Sequence, residues 1–356
     1  QDRCNGLVDD VTLAAAYHSA RAATPLHPRR QVVDARHAAL YRPVREEVWS
    51  QRRLRPAPPD WMDSDDSFGE AAESLHRNGT RVSAWIVLTH ATRLGRAFND
   101  IAVINCFGES YPYALCPAHG EVREYAATLA AESLREAPVD AVSLEACGQL
   151  GIGHLGHHDK TAGAWSHDAA RWLSVCCCRA CETAWRANGL DPEAVKRELR
   201  TAVRGEALGE PRAPAPDLEK VLLAVRQESV DLLRAEVLAA VRRVLPKAPI
   251  TLHASPDPWA TGPSPGLTPT TVADVDALLV PAWSTTPATA ETVSAAVTTG
   301  AVVDAYVTVL PPVEVDELPA HLARLLAAGV RGLNLYHLGL APAARLRLLA
   351  ELLAAL

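Results

Sequence analysis

Short apolar runs that end abruptly in polar residues recur along the chain, and stretches of helical periodicity fill most intervals between them. Residues 11–18 form the first such run, the pattern of a parallel strand buried on both faces. Residues 38–41 predict a second, weaker strand, and residues 82–88 a clear third one closing at Thr89-His90. A fourth, at 139–147, carries Glu145 at its end, and four more follow at 250–253, 277–283, 303–310 and 332–337. Helices are predicted from near Phe68 to Arg77, stopped by Asn78-Gly79, and over 121–136, 180–199, 216–244, 289–298, 316–328 and 342–355. The acidic cluster Asp63-Ser64-Asp65-Asp66 is placed to cap the first of these. Eight strands, most followed by a helix, predict an α/β fold, a closed (β/α)8 TIM barrel; a doubly wound sheet is the second choice. The patterning at 160–245 exceeds one crossover, so a helical elaboration after the fourth strand is expected inside a single domain spanning 1–356.

Composition narrows what such a barrel would do. With 356 residues, 48% of them hydrophobic, the chain can bury a large core. Its net charge of −7 and lack of any Lys/Arg-rich block argue against nucleic acid, since phosphate binding needs clustered cations. No run approaches the roughly 18 apolar residues of a membrane span, so no membrane partner is expected. Eight cysteines, four of them within six positions, are too sparse for a disulfide scaffold and point to reduced thiols or a metal, hence to a cytoplasmic location. A small molecule or oligosaccharide is the expected partner, and the helical elaboration offers a surface for a homo-oligomer.

In a barrel of this kind the chemistry sits at the C-terminal ends of the strands. Those ends carry His18, His90, Glu145, His253, Trp283 and His337. One histidine there is most simply a structural side chain, but polar groups converging on one mouth suit an oriented polar substrate. His18, His90, His253 and His337, with Trp85 and Trp283, are therefore substrate-binding candidates, as is Asn105 on the long excursion after the third strand. Glu145 follows Ala141, Val142 and Leu144, so its carboxyl should emerge in dry surroundings. Partial burial raises a carboxyl pKa and suits a general acid. A glutamate paired with a neighbouring cation is the plain alternative.

Two further clusters follow. His154, His157, His158, Asp159 and Lys160 lie among glycines 151, 153 and 156. His154 and His158 would share a helix face as metal ligands can, but the glycines favour a loop, in which His157, His158 and Asp159 would meet substrate hydroxyls. Cys176, Cys178 and Cys181 can present three thiolates to one Zn²⁺ from a helix start, in a closed structural site, with Cys106, Cys116 or Cys147 as the fourth ligand. Small buried hydrophobes are the alternative reading.

The run Leu115-Cys116-Pro117-Ala118-His119-Gly120-Glu121-Val122-Arg123, taken with Cys176-x-Cys178-x-x-Cys181 and Glu182-Thr183-Ala184-Trp185, resembles the family 42 glycoside hydrolases, the β-galactosidase-type barrels. The resemblance covers about residues 80–190. It implies a structural zinc held by Cys116, Cys176, Cys178 and Cys181, and a catalytic acid/base at Glu145. Three features depart from that family, the first being that the insertion carrying His154 to Lys160 lengthens the distance from Glu145 to the thiols. Leu144 stands where it has Asn before the acid/base, and the seventh strand ends Thr308-Val309-Leu310-Pro311-Pro312 with no acid before Glu314.

The expected function is hydrolysis of a glycosidic bond, with Glu145 as general acid/base and a partner carboxylate among Asp257, Glu314 and Asp159. Two other classes compete: a barrel lyase or metal-dependent hydrolase using the rim histidines, and a non-catalytic carbohydrate-binding barrel.

Overall fold

The computed structural model describes residues 8–153, 160–161, 163–311 and 313–354. Eight strands form one sheet: β1 (Asp10–Tyr17), β2 (Ala39–Leu40), β3 (Arg81–Val87), β4 (Ala141–Glu145), β5 (Ile250–His253), β6 (Ala277–Pro281), β7 (Val303–Thr308) and β8 (Gly332–Tyr336). Their order in space is β8-β7-β6-β5-β4-β3-β1-β2. From β1 through β3 to β8 every neighbouring pair is parallel.

The second strand corrects the expectation of a closed parallel barrel. It is two residues long and runs antiparallel to β1, with Ala16 opposite Leu40 and Tyr17 opposite Ala39. So short a segment has too few ladder hydrogen bonds to bridge β1 and β8, and among the described residues no pairing joins β8 to either β1 or β2. The sheet is nevertheless curled. The Tyr17 hydroxyl at the end of β1 lies 3.3 Å from the Tyr336 hydroxyl at the end of β8.

Period-two alternation divides each strand between two cores. Ala84 and Ile86, Val142 and Leu144, Leu278 and Val280, and Ala305 and Val307 pack in the cluster that also holds the helices' apolar faces. The alternate residues Trp85, Val87, Leu279 and Tyr306 enter a second cluster on the concave side. Ser143 and Glu145 alternate with Val142 and Leu144, so both belong to that concave side. The chain thus sets polar and aromatic groups beside the aliphatic Val87 and Leu279 inside the curl.

The helices follow the predicted pattern with one break. α1 (Ser67–Arg77) is capped by Asp66, whose carboxylate accepts from the Gly69 amide at 2.9 Å. After α2 (Gly120–Leu134), four helices separate β4 from β5: α3 (His167–Leu173), α4 (Arg179–Ala187), α5 (Pro192–Ala207) and α6 (Pro216–Val244). A single helix over 180–199 is therefore corrected to two. Asn188-Gly189 ends the first, with Gly189 at φ +78, a conformation open to glycine at low cost, and Asp191-Pro192 starts the second as N-cap and first-turn proline. α7 (Pro287–Val297), α8 (Leu318–Ala327) and α9 (Ala343–Ala354) follow β6, β7 and β8. Two antiparallel hairpins lie outside the main sheet, Ala20–Ala23 with Val32–Ala35 and Ala102–Ile104 with Ser110–Leu115. No helix among the described residues is long and apolar enough to cross a membrane.

Candidate active site and thiol cluster

Glu145 is the last residue of β4 and 3% exposed. Three acids are buried among the described residues, and two have permanent cations. Glu132 takes two hydrogen bonds from Arg45, and Asp304, near the N-terminal end of β7, is gripped by Arg331. Glu145 has no such partner. Its Oε2 accepts from Trp85 Nε1–H at 2.8 Å and lies 3.8 Å from His253 Nδ1. Burial pushes the carboxyl up to about 8, against the opposing pull of the Trp85 hydrogen bond. At neutral pH it therefore holds its proton.

Register explains why these groups meet. Trp85 on β3 pairs with Ser143, and Ser143 pairs in turn with Thr251 on β5. Glu145 and His253 are two residues further along their strands, on the same face. Aromatic rings wall this group. Trp85 stacks on His253 at 5.5 Å and on His337 at 6.2 Å, and meets Tyr17, Tyr306 and Tyr336 edge-on at 5.0, 6.1 and 5.9 Å. At the rim, Trp283 is 45% exposed and stacks face to face on Tyr336 at 5.4 Å. A flat, partly exposed aromatic beside buried polar groups can take the apolar face of a ring-shaped ligand.

The remaining histidines are placed as follows. His18 stacks on Tyr17 at 4.2 Å and its ring centroid lies 4.6 Å from that of His90. Burial, then the charge of His18, pushes His337 down to about 4. His253 is 1% exposed, and burial pushes it down to about 3, so it is neutral at physiological pH. It lies beneath the mouth, not on its rim.

Asn105 lies apart from this group. Its amide donates to Glu109 and to the Tyr111 hydroxyl, and its carbonyl accepts from the Phe107 and Glu109 amides. Those bonds build the turn of the second hairpin. Among the described residues, the suggested partners Asp257 and Glu314 make no hydrogen bond to Glu145 either. Asp257 accepts from the Trp259 amide at 2.9 Å and sits 3.7 Å from His167, while Glu314 is exposed. His154, His157, His158 and Asp159 lie outside the described residues.

Sequence reasoning missed Tyr17, Tyr306, Tyr336 and Ser143. The available signal was a hydroxyl-bearing side chain inside an apolar strand, which must find a polar partner when buried. Burial, reinforced by Tyr336 and Glu145, raises Tyr17 and Tyr306 above the ordinary phenol range. Both are therefore held as neutral hydroxyls.

The second chemical feature is a closed thiol cluster. Cys116 follows the second hairpin, while Cys176 and Cys178 lead into α4, whose first turn carries Cys181. All four are buried, and their sulfurs lie within 4.8 Å of one another. The Cys116 sulfur is 3.6 Å from that of Cys181 and 3.7 Å from that of Cys178. Metal–sulfur bonds of about 2.3 Å at tetrahedral angles put the sulfurs roughly 3.8 Å apart, so the donor set fits one metal ion. Hydrogen bonds from Cys116, Cys176 and Cys181 push the Cys178 thiol far down, as befits a sulfur at a helix N-terminus. Cys177 is turned away, its sulfur directed at the Val175 carbonyl. Among the described residues this is the one group of three or more His, Cys, Asp or Glu side chains spaced to hold a metal, and the rim histidines do not form another.

No protein-family model and no curated protein sequence matches the chain. Solved structures do resemble it. α-L-Fucosidase isoenzyme 2 from Paenibacillus thiaminolyticus aligns with a TM-score of 0.62 and 14% identity, over 99% of this chain and 45% of that one. The PgaB (BpsB) glycoside hydrolase domain from Bordetella bronchiseptica gives 0.60 and 13%, over 94% of this chain and 86% of that one. A β-galactosidase from Bacillus circulans sp. alkalophilus gives 0.53 and 12%, over 89% and 50%. The chain thus spans about half the length of the fucosidase and the β-galactosidase, and most of the isolated hydrolase domain. At these identities the likeness is one of fold: a distant, glycoside hydrolase-like α/β architecture.

Proposed function

We propose that the protein is a glycosidase, cleaving a glycosidic bond of a carbohydrate or glycoconjugate with Glu145 as its general acid/base. One observation carries the reading. A buried carboxyl with no permanent cation stands among aromatic rings at the C-terminal end of a central strand, and burial pushes it up to about 8. That is what protonating a leaving-group oxygen requires. Trp283 and Tyr336 would support the sugar ring, while His18, His90 and His337 would meet its hydroxyls.

A retaining pair of carboxyls is about 5 Å apart and an inverting pair about 6.5–9.5 Å. No described carboxylate contacts Glu145, and the neutral tyrosine hydroxyls serve as hydrogen-bond donors to substrate, not as nucleophiles. The four cysteines would hold zinc, which supplies cross-linking charge and no open position for water. In that role it fixes the segment after the second hairpin to the start of α4, and the domain folds as one unit around the curled sheet.

Turnover of a panel of 4-nitrophenyl glycosides by Glu145→Gln tests the assignment. Loss of the general acid should lower kcat/KM by about 10²–10⁴. Wild-type turnover in this variant would remove Glu145 from the mechanism.

A further inference from the structure

Ser143, His253 and Glu145 form a buried line inside the curl. Ser143 Oγ lies 3.0 Å from His253 Nε2, and His253 Nδ1 lies 3.8 Å from Glu145 Oε2. The arrangement resembles a serine–histidine–carboxylate relay, but its 3.8 Å step is too long for a hydrogen bond, and its serine sits two residues deeper in β4 than Glu145. The line has a different direction of action, set by which atoms need partners.

The Ser143 hydroxyl has one recorded partner, His253 Nε2. A buried hydroxyl that only accepted would leave its own proton with no acceptor, whereas donating to Nε2 places the ring's proton on Nδ1, opposite the Glu145 carboxyl, where an acceptor stands. Donation requires Nε2 to be the bare nitrogen, so the single proton of the neutral ring sits on Nδ1. Nδ1 is buried without a hydrogen-bond partner, and it faces Glu145 Oε2. At 3.8 Å the contact is too long for a hydrogen bond, and a small closure of the ring toward the carboxyl would make one. Trp85 Nε1–H already donates to that same oxygen at 2.8 Å.

We infer that Ser143 fixes His253 with its proton on Nδ1, so that Trp85 and His253 both address Glu145 Oε2 and leave Oε1 to hold and deliver the proton. Two N–H groups pointed at Oε2 leave no room for a third hydrogen there. The acid proton therefore rests on Oε1. When it passes to the leaving-group oxygen, the Oε1–H bond breaks and its electron pair stays on the carboxylate. The new charge is then met at Oε2 by Trp85 and by His253 moving into hydrogen-bond range. His253 is thus a positioning residue acting through Glu145, not a rim contact to substrate, and its role in catalysis rests on the acid/base reading above. The other groups facing Glu145 are Tyr17 from β1, Tyr306 from β7 and Tyr336 from β8, all held neutral.

Nuclear magnetic resonance on the full chain tests this without a substrate. With ¹⁵N-labelled histidine, the His253 ring, identified by its absence in a His253→Asn sample, should show the Nδ1–H neutral form at pH 7; an Nε2–H ring overturns the inference. In Ser143→Ala the ring should lose that preference and show both forms, and a retained single Nδ1–H form would remove Ser143 from the account. With ¹³C-labelled glutamate, the Glu145 midpoint should stay near wild type in His253→Asn, whose amide N–H falls near the Nδ1 position. It should rise by about one pH unit in His253→Gln, whose amide reaches instead toward Nε2, since a hydrogen bond to a charged group is lost. Equal midpoints in the two variants contradict the inference. Normal turnover by Glu145→Gln would sink the acid/base reading while leaving the ring's tautomer to be judged by the nitrogen shifts alone.

Discussion

The molecule buries ionisable groups at the end of β4 and around the start of α4, and the two places solve the same problem differently. Glu145 is a lone carboxyl in a dry aromatic recess, and it answers the cost of burial by staying protonated. Cys116, Cys176, Cys178 and Cys181 are four like groups packed within 4.8 Å, and their spacing suits a shared cation. One can exchange a proton; the other would fill every position around a shared cation. Burial alone therefore does not distinguish chemistry from architecture. What distinguishes them is whether a group's partners are permanent.

Removing a thiolate should give the largest effect. Cys178→Ala is expected to abolish stoichiometric metal binding and lower the unfolding midpoint by on the order of 10 °C, because metal-binding free energy is folding free energy. Cys177→Ala, beside it in sequence but outside the cluster, should keep its metal. Elemental analysis with thermal melts checks both, and a metal-replete Cys178→Ala would break the contrast.

The pH dependence should be the next largest. The acid form of Glu145 prevails below about 8, so kcat/KM should fall roughly tenfold per pH unit above that point. Stability carries the same sign. The folded carboxyl binds its proton more tightly than the unfolded one, so this group's contribution is greatest at low pH and declines as pH rises from the ordinary carboxylate range to about 8. His253, pushed down to about 3, acts in the opposite sense, adding stability as pH rises from about 3 toward the ordinary histidine value. Between that value and pH 8 Glu145 acts alone of the pair. Denaturant titrations over this range should show a declining stability that Glu145→Gln flattens; an unchanged slope would contradict it.

Trp283→Ala should produce the smallest change. Loss of one stacking surface is expected to raise KM by roughly threefold to tenfold with little effect on kcat, measured on whichever aryl glycoside the wild type turns over. A fall in kcat with unchanged KM would place Trp283 elsewhere than beneath the sugar.

Much of this was legible in the residues alone. Seven of the eight strands in the sheet are parallel and lie where apolar runs end in polar residues, because strands buried on both faces leave that mark. The direction of β2 was not legible: Ala39-Leu40 looks the same whichever way it pairs. The break between α4 and α5 was written in Asn188-Gly189 and Asp191-Pro192, but continuous helical periodicity on either side hid it. The grouping of Cys176, Cys178 and Cys181 was readable from spacing and that of Cys116 with them from the resemblance, and the burial of Glu145 from its position after an aliphatic run. The tyrosines were not, since inside a strand they pass for core. Asn105 looks like a ligand contact because it is a polar residue in a long excursion, and the turn that its amide builds was not legible.

The most direct test crosses the two regions in one experiment, measuring bound metal and glycoside turnover in Glu145→Gln and Cys177→Ala beside the wild type. The account predicts full metal in all three preparations, with turnover lost by about 10²–10⁴ in Glu145→Gln alone. Wild-type turnover in Glu145→Gln, with its metal intact, would contradict it.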